Sequence, residues 1–254
     1  NGVIKLPFSK YEKQLMDFID LDYFKNIRHP EANRFIHIDI AFSSNTMDRY
    51  GIAAGYCTLN DRTVFKDLTK GKSSLAEVYE KSERTYYVDW AIGIEPYPQQ
   101  EIPLSKVKDF ILYLIKNLSY PVISISADTF QSKQTLQEFE QLNYDTQSIS
   151  LDRTRDPYLF LRQLVTNKQI LLPKNEYLRT ELINLRDTGK KIDHRINGSK
   201  DISDAVAGCI WNCANSNRIF NLSKITQAVL NPFTPLNTTM SEEEKKTVEL
   251  LEFE

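Results

Sequence analysis

With 254 residues, 41% of them hydrophobic and 26% charged, the chain has the length and composition of a globular protein that buries a substantial core. Its 32 Lys and Arg against 34 Asp and Glu leave a net charge of −2, so no global basic field marks a tight stand-alone nucleic-acid binder, although a local patch can hide in that total. Three cysteines do not make a disulfide framework, and no apolar run is long enough to span a membrane; no signal peptide is evident, and a reducing compartment is expected.

Residues 1–33 mix aromatics with charges and read as a lead-in or linker from a preceding domain, and a chain beginning at Asn1 rather than Met reads as a fragment of something longer. Asp17, Asp20 and Asp22 lack the glycine and closing glutamate of a calcium loop. The first strong signal is Phe35 to Ala41, a mostly apolar run with β-branched residues bounded by a polar turn, which predicts a buried strand. A carboxylate in such a strand, Asp39, is costly to desolvate unless it is paired, hydrogen-bonded or holding a cation.

A turn over 43–49 and a strand over Tyr50–Leu59 suggest an antiparallel hairpin. Residues 60–84 are polar and lysine-rich, a weak hairpin or an exposed insertion. Gly71-Lys72-Ser73 lacks the earlier glycine of a phosphate-binding loop, since Lys66 stands there. Thr85–Glu95 reads as a third strand. Leu104, Val107, Phe110, Ile111, Leu114, Ile115 and Leu118 recur at helical spacing, stopped by Pro121. A fourth strand, Pro121–Ala127, delivers Asp128 at its carboxyl end. Gln131–Leu142 is expected to be helical with Leu136, Phe139 and Leu142 inward, Thr146–Leu151 a strand, and Pro157–Asn167 and Asn175–Leu185 helices. Ile192–Ile196 looks extended, Ser199 suits the cap of a final helix, and Cys209 and Cys213 fall on its apolar face, where packing outweighs zinc. Beyond about Asn221 the chain turns polar and acidic, a tail. Strands first, then alternating helices and strands, predict an α/β domain with a mixed sheet flanked by helices.

Asp201 and Asp204 lie three apart and so share one side of the final helix, where small Ala205 and Gly208 permit close approach to the sheet and bring both acids toward Asp39. Their position in the first helical turn has a blander explanation, because the helix dipole favours negative charge there. Taken with Asp39 and Asp128, however, they make an oxygen-only set that suits magnesium or manganese, and carboxylates crowded together repel unless cations neutralise them. Two divalent cations in such a cluster can activate water and stabilise a leaving oxygen, the chemistry of phosphodiester hydrolysis.

The pieces "HIDIA", "GIAAGY", "SADTFQS", "LDRTRDPYLFLRQLVTNKQILLP", "ELINLR" and "KIDHRINGSKDISDAVAG", from about Arg34 to Ala214, resemble the nuclease domain of the large terminase subunit of tailed bacteriophages. The resemblance implies an RNase H-like fold, metal binding by Asp39, Asp128 and Asp204, and Asp201 as a further ligand or close neighbour; in some relatives a histidine matches Asp201. It also implies cleavage of double-stranded, concatemeric viral DNA during packaging, with the portal and small terminase subunit as partners of the full-length protein in the host cytoplasm. The expected organisation is lead-in 1–33, nuclease domain 34–220 and tail 221–254. Two alternatives stand beside it: another RNase H-like nuclease of resolvase type, or a docking module for the portal and motor with weak cleavage. Asp48 reads as a turn residue, with an approach to the metal site from the hairpin as its alternative. His37 reads as a hydrogen-bonded core histidine on the face of Asp39, and His194 as a structural residue or a base. Arg153, Arg155, Lys133 and Lys200 are candidate phosphate contacts, with solvated surface charge as the default for each.

Overall fold

The computed structural model describes residues 3–5, 27–40, 49–67, 76–95, 103–128, 132–195 and 198–216, with the backbone alone at 3–5, 60–67, 76–82 and 95. Most of the lead-in, Asp48, Gly71–Ser73 and the tail therefore lie outside the described residues. By internal contacts the chain divides into residues 1–214 and 215–254, and every described strand belongs to the first unit.

The strands are β1 (Val3–Lys5), β2 (Arg34–Asp39), β3 (Tyr50–Asp67), β4 (Ala76–Glu95), β5 (Val122–Ala127), β6 (Asp145–Ser148), β7 (Ile170–Leu171), β8 (Arg186–Asp187) and β9 (Ile192–Asp193). The helices are α1 (Leu104–Asn117), α2 (Lys133–Gln141), α3 (Asp156–Thr166), α4 (Glu176–Asn184) and α5 (Asp201–Asn215). The main sheet has the order β1-β4-β3-β2-β5-β6, with β7 added on β4, and β8–β9 form a separate ribbon. β2, β3 and β4 pair antiparallel, whereas β2, β5 and β6 run parallel. A three-strand antiparallel meander whose first strand is central and continues into parallel βαβ units is the RNase H-like arrangement. β2 is its middle strand, and its residues alternate between the two faces.

Ile36 and Ile38 point to the layer of α1 and α2, where Val107, Phe110, Ile111, Leu114 and Phe139 close an apolar core. Phe35, His37 and Asp39 point to the other face, which α5 covers. There Gly51 stands against the Asp201 carbonyl and Ala205 Cβ, Gly208 against the His37 ring, and Cys209 Sγ against the Phe35 carbonyl at 3.1 Å. Asn212 reaches Ser124 at 3.0 Å. The helix thus runs opposite to β2 and sets its first turn beside the strand's carboxyl end. Cys209 and Cys213 are buried and free, as packing residues.

Of the two readings of residues 60–84 the hairpin holds, since β3 and β4 extend as one ladder to Asp67 opposite Ala76. Three expectations change. β6 ends at Ser148, three residues before the expected Leu151. Leu142, expected inward, is 44% exposed, since α2 stops at Gln141. Ser199 does not cap α5 as an acceptor; its hydroxyl donates to Glu181 and Asp201, and Glu181 on α4 accepts from the Ser203 N–H instead.

Candidate acidic site at the carboxyl end of the central strand

Asp39 closes β2 opposite Gly51 on one side, and on the other Ile38 pairs with Ala127, so Asp128 follows at the same end of the neighbouring parallel strand. The Asp128 N–H donates to the Ile38 carbonyl at 3.4 Å, and its own carbonyl accepts from the Ser132 hydroxyl, which ties the residue to the start of α2. Asp201 and Asp204 arrive on the first turn of α5. Gly51 permits this: a Cβ there would lie 1.9 Å from the Asp201 carbonyl oxygen. The four acids that the sequence singles out therefore come from three elements to the same end of the sheet. Burial first, then the charges of Asp204, Asp201 and Asp128, push the Asp39 carboxyl well above the usual range, with Lys200 opposing them.

Each of the two α5 acids is held differently. Asp204 is 5% exposed; Tyr158 on α3 donates its hydroxyl to Oδ1 at 2.5 Å, and Lys200 donates Nζ to Oδ2 at 2.7 Å. Burial raises its pKa to about 6 against the pull of those two donors. Asp201 is half-buried, and its Oδ2 accepts from the Arg49 N–H at 3.0 Å and the Ser199 hydroxyl at 2.7 Å.

Sequence reasoning missed Glu181. It lies on α4 inside the "ELINLR" piece, 6% exposed, and accepts from the Ser203 N–H at 2.8 Å and the Ser199 hydroxyl at 3.0 Å. Burial, with the Asp201 charge adding to it, lifts its pKa to about 7. The signal was available, since a glutamate at the inward position of an amphipathic helix needs a partner; what the sequence withheld was the partner. Asp152 was missed as well; it receives Lys200 Nζ at 3.0 Å.

The remaining candidates separate. His37 is fully buried, bonds Ser126 Oγ through Nδ1 at 2.9 Å, and has its pKa lowered by burial to about 4, so it is a neutral core residue. Its Nε2 has no partner among the described residues. His194 bonds the Arg195 carbonyl at 2.7 Å next to Asp193, on the ribbon side. Arg155 braces the β8–β9 ribbon through Asp187 and the Gly189 carbonyl. Arg153 and Lys133 are exposed.

As a set of hard oxygen donors carrying excess negative charge, the four aspartates fit a divalent cation in chemistry. Among the described residues, however, no three His, Cys, Asp or Glu side chains are grouped around one point as ligands. At α5 the protein's own donors bond both Asp204 oxygens and one of Asp201.

No protein-family model and no curated protein matches the sequence. Among solved structures, the large terminase of bacteriophage HK97 is similar at a TM-score of 0.43 and 10% identity, over 76% of this chain and 43% of that one. The chain thus spans less than half the length of that protein. Among the described residues no helix is long and apolar enough to cross a membrane.

Proposed function

We propose that the chain is a metal-dependent endonuclease that hydrolyses phosphodiester bonds of double-stranded DNA, of the kind terminases use on concatemeric viral genomes. The observation that carries this reading is the approach of Asp128, Asp201 and Asp204 to Asp39 at the end of the central strand, where burial first and then the neighbouring carboxylates push the Asp39 carboxyl up, a cost that a cation would relieve. Magnesium or manganese, held by Asp39, Asp128 and the acids of α5, would supply Lewis-acid activation of water and of the scissile phosphate. The chain's own residues do the rest. Tyr158, kept protonated by burial and by the Asp204 charge, steadies Asp204. The Glu181–Ser199–Asp201 chain of hydrogen bonds fixes the first turn of α5. A polyanion finds local support: Arg186, Lys190 and Arg195 are exposed on and beside the β8–β9 ribbon, which meets the site where Lys191 Nζ stands 3.7 Å from Asp152. Within packaging, the portal and small terminase subunit would be partners of the longer protein, in the host cytoplasm.

Supercoiled plasmid incubated with the protein tests this. Nicking or linearisation is expected with magnesium or manganese, and calcium is expected to bind without turnover because its looser geometry places water poorly. Undiminished cutting in excess EDTA would sink the mechanism.

A further inference from the structure

The three cysteines of the chain gather where α5 covers the sheet, toward the carboxyl end of that helix and away from the acids. A Cβ on Gly55 would lie 3.4 Å from Cys209 Sγ, and Cys57 follows two residues further along β3 on the same face. Cys213 is one turn beyond Cys209 on α5. It is buried, and its thiol is hydrogen-bonded to that of the half-buried Cys57. Arg84 on β4 fixes this corner: its guanidinium donates to the Ala214 carbonyl at 3.2 Å and to the hydroxyl of Tyr86, the residue opposite Cys57 in the β3–β4 ladder. Zinc does not account for the cluster, since among the described residues no three His, Cys, Asp or Glu side chains are grouped as ligands.

The two thiols are not equivalent. The hydrogen bond from Cys213 brings the Cys57 thiol below its ordinary range; burial opposes this, and the Arg84 charge adds to it. Burial holds the Cys213 thiol well above that range, and donating to Cys57 secures its proton further. A partly accessible sulfur with thiolate character, next to a second thiol that can resolve its oxidised form, is the arrangement that reacts with peroxides. Phosphodiester hydrolysis makes no use of it.

We propose that Cys57 and Cys213 form a modification site, a dithiol that hydroperoxides convert to a disulfide and thiol reductants restore. The Cys57 sulfur attacks one peroxide oxygen. The O–O bond breaks, Cys57 becomes a sulfenic acid, and the departing hydroxide takes up the proton that the Cys57 thiol released. The Cys213 sulfur then attacks the Cys57 sulfur: the S–S bond forms, the S–O bond breaks, and the oxygen leaves as water with the Cys213 proton. The two thiols lose two electrons and the peroxide gains them. Cys209, whose sulfur is turned to the Phe35 carbonyl at 3.1 Å, stays outside the exchange. The new bond ties the last turn of α5 to β3, whatever the acids at the other end of the helix do.

Hydrogen peroxide applied to the folded, intact chain tests this, read by intact mass and by non-reducing peptide maps, with no DNA or metal present. The wild type is expected to lose two hydrogen atoms, to yield a cross-linked Cys57–Cys213 peptide, and to recover both thiols on addition of dithiothreitol. Cys213→Ser is expected to stop at a dimedone-reactive sulfenic acid on Cys57, and Cys57→Ser to form no disulfide and leave Cys213 a thiol. An unreacted dithiol in the wild type, a cross-link to Cys209 or between two chains, or oxidation of Cys213 in Cys57→Ser overturns the proposal and leaves the endonuclease reading standing. Should a variant fail to fold, the wild-type map decides alone, because it identifies the linked sulfurs.

Discussion

Asp201 and Asp204 share a helix face, yet their surroundings assign them different work. Asp204 is deep, receives Tyr158 and Lys200, and has a raised pKa. Asp201 is shallower and bound by Arg49 and Ser199 at one oxygen. Asp204→Asn is expected to eliminate cleavage, because the amide keeps the shape of the side chain and removes the negative charge that faces the buried Lys200 ammonium. Asp201→Asn is expected to weaken it, with partial recovery at higher manganese, since the loss is in metal affinity. Nicking rates titrated with metal decide the matter, and a dead Asp201→Asn beside an active Asp204→Asn reverses the assignment. Glu181 carries the pH dependence. Its folded pKa of about 7 lies above its ordinary 4.5, so its contribution to stability is fully present below 4.5 and is lost as pH rises through 7. Melting temperature of the metal-free protein should therefore fall between pH 4.5 and 7, and Glu181→Gln should flatten that slope. A slope unchanged in Glu181→Gln assigns it to Asp39 and Asp204, whose pKa values are also raised. At this scale the sequence showed the four aspartates but not that Tyr158, 46 positions before Asp204 (204 − 158), bonds it, nor that Glu181 shares the Ser199 hydroxyl with Asp201.

The element on which the site depends is α5. Its register on the sheet is set by small residues: a Cβ on Gly208 would sit 2.4 Å from the His37 ring, and one on Gly51 would meet the Asp201 carbonyl. Neither neighbour can yield, since His37 is fully buried and the other contact is backbone. Gly208→Ala is expected to destabilise by about 1–3 kcal/mol through overpacking. It should also reduce cleavage, because the helix must lift and carry its acids with it. Chemical denaturation checks the first effect; an unaltered midpoint would mean that α5 does not approach as described. The helix, its small-residue face and its heading toward Asp39 were legible in the spacing of Ala205 and Gly208. Its cap was not, because the acceptor for Ser203 N–H comes from α4 and capping by a distant side chain leaves no local pattern.

For the molecule as a whole, the central strand was readable as a short, mostly apolar run bounded by a polar turn, and its antiparallel pairing with β3 as a hairpin. The reach of the β3–β4 ladder was not, because polar pairs at the end of a hairpin carry no hydrophobic alternation. The architecture brings two carboxyl strand ends and one helix N-terminus to the same end of the sheet and sets an acid on each. The arrangement sacrifices stability for function if these acids serve a cation. Asp39 is the most direct probe, for it meets the repulsion of three other aspartates. The decisive measurement is therefore plasmid cleavage in manganese by wild-type and Asp39→Asn protein side by side, with the melting temperature of each metal-free form. The variant is expected to cut nothing and to melt at the same or a higher temperature. A variant that cuts as the wild type does, or one that loses cleavage only because it has lost its fold, contradicts a cation-holding role for these acids.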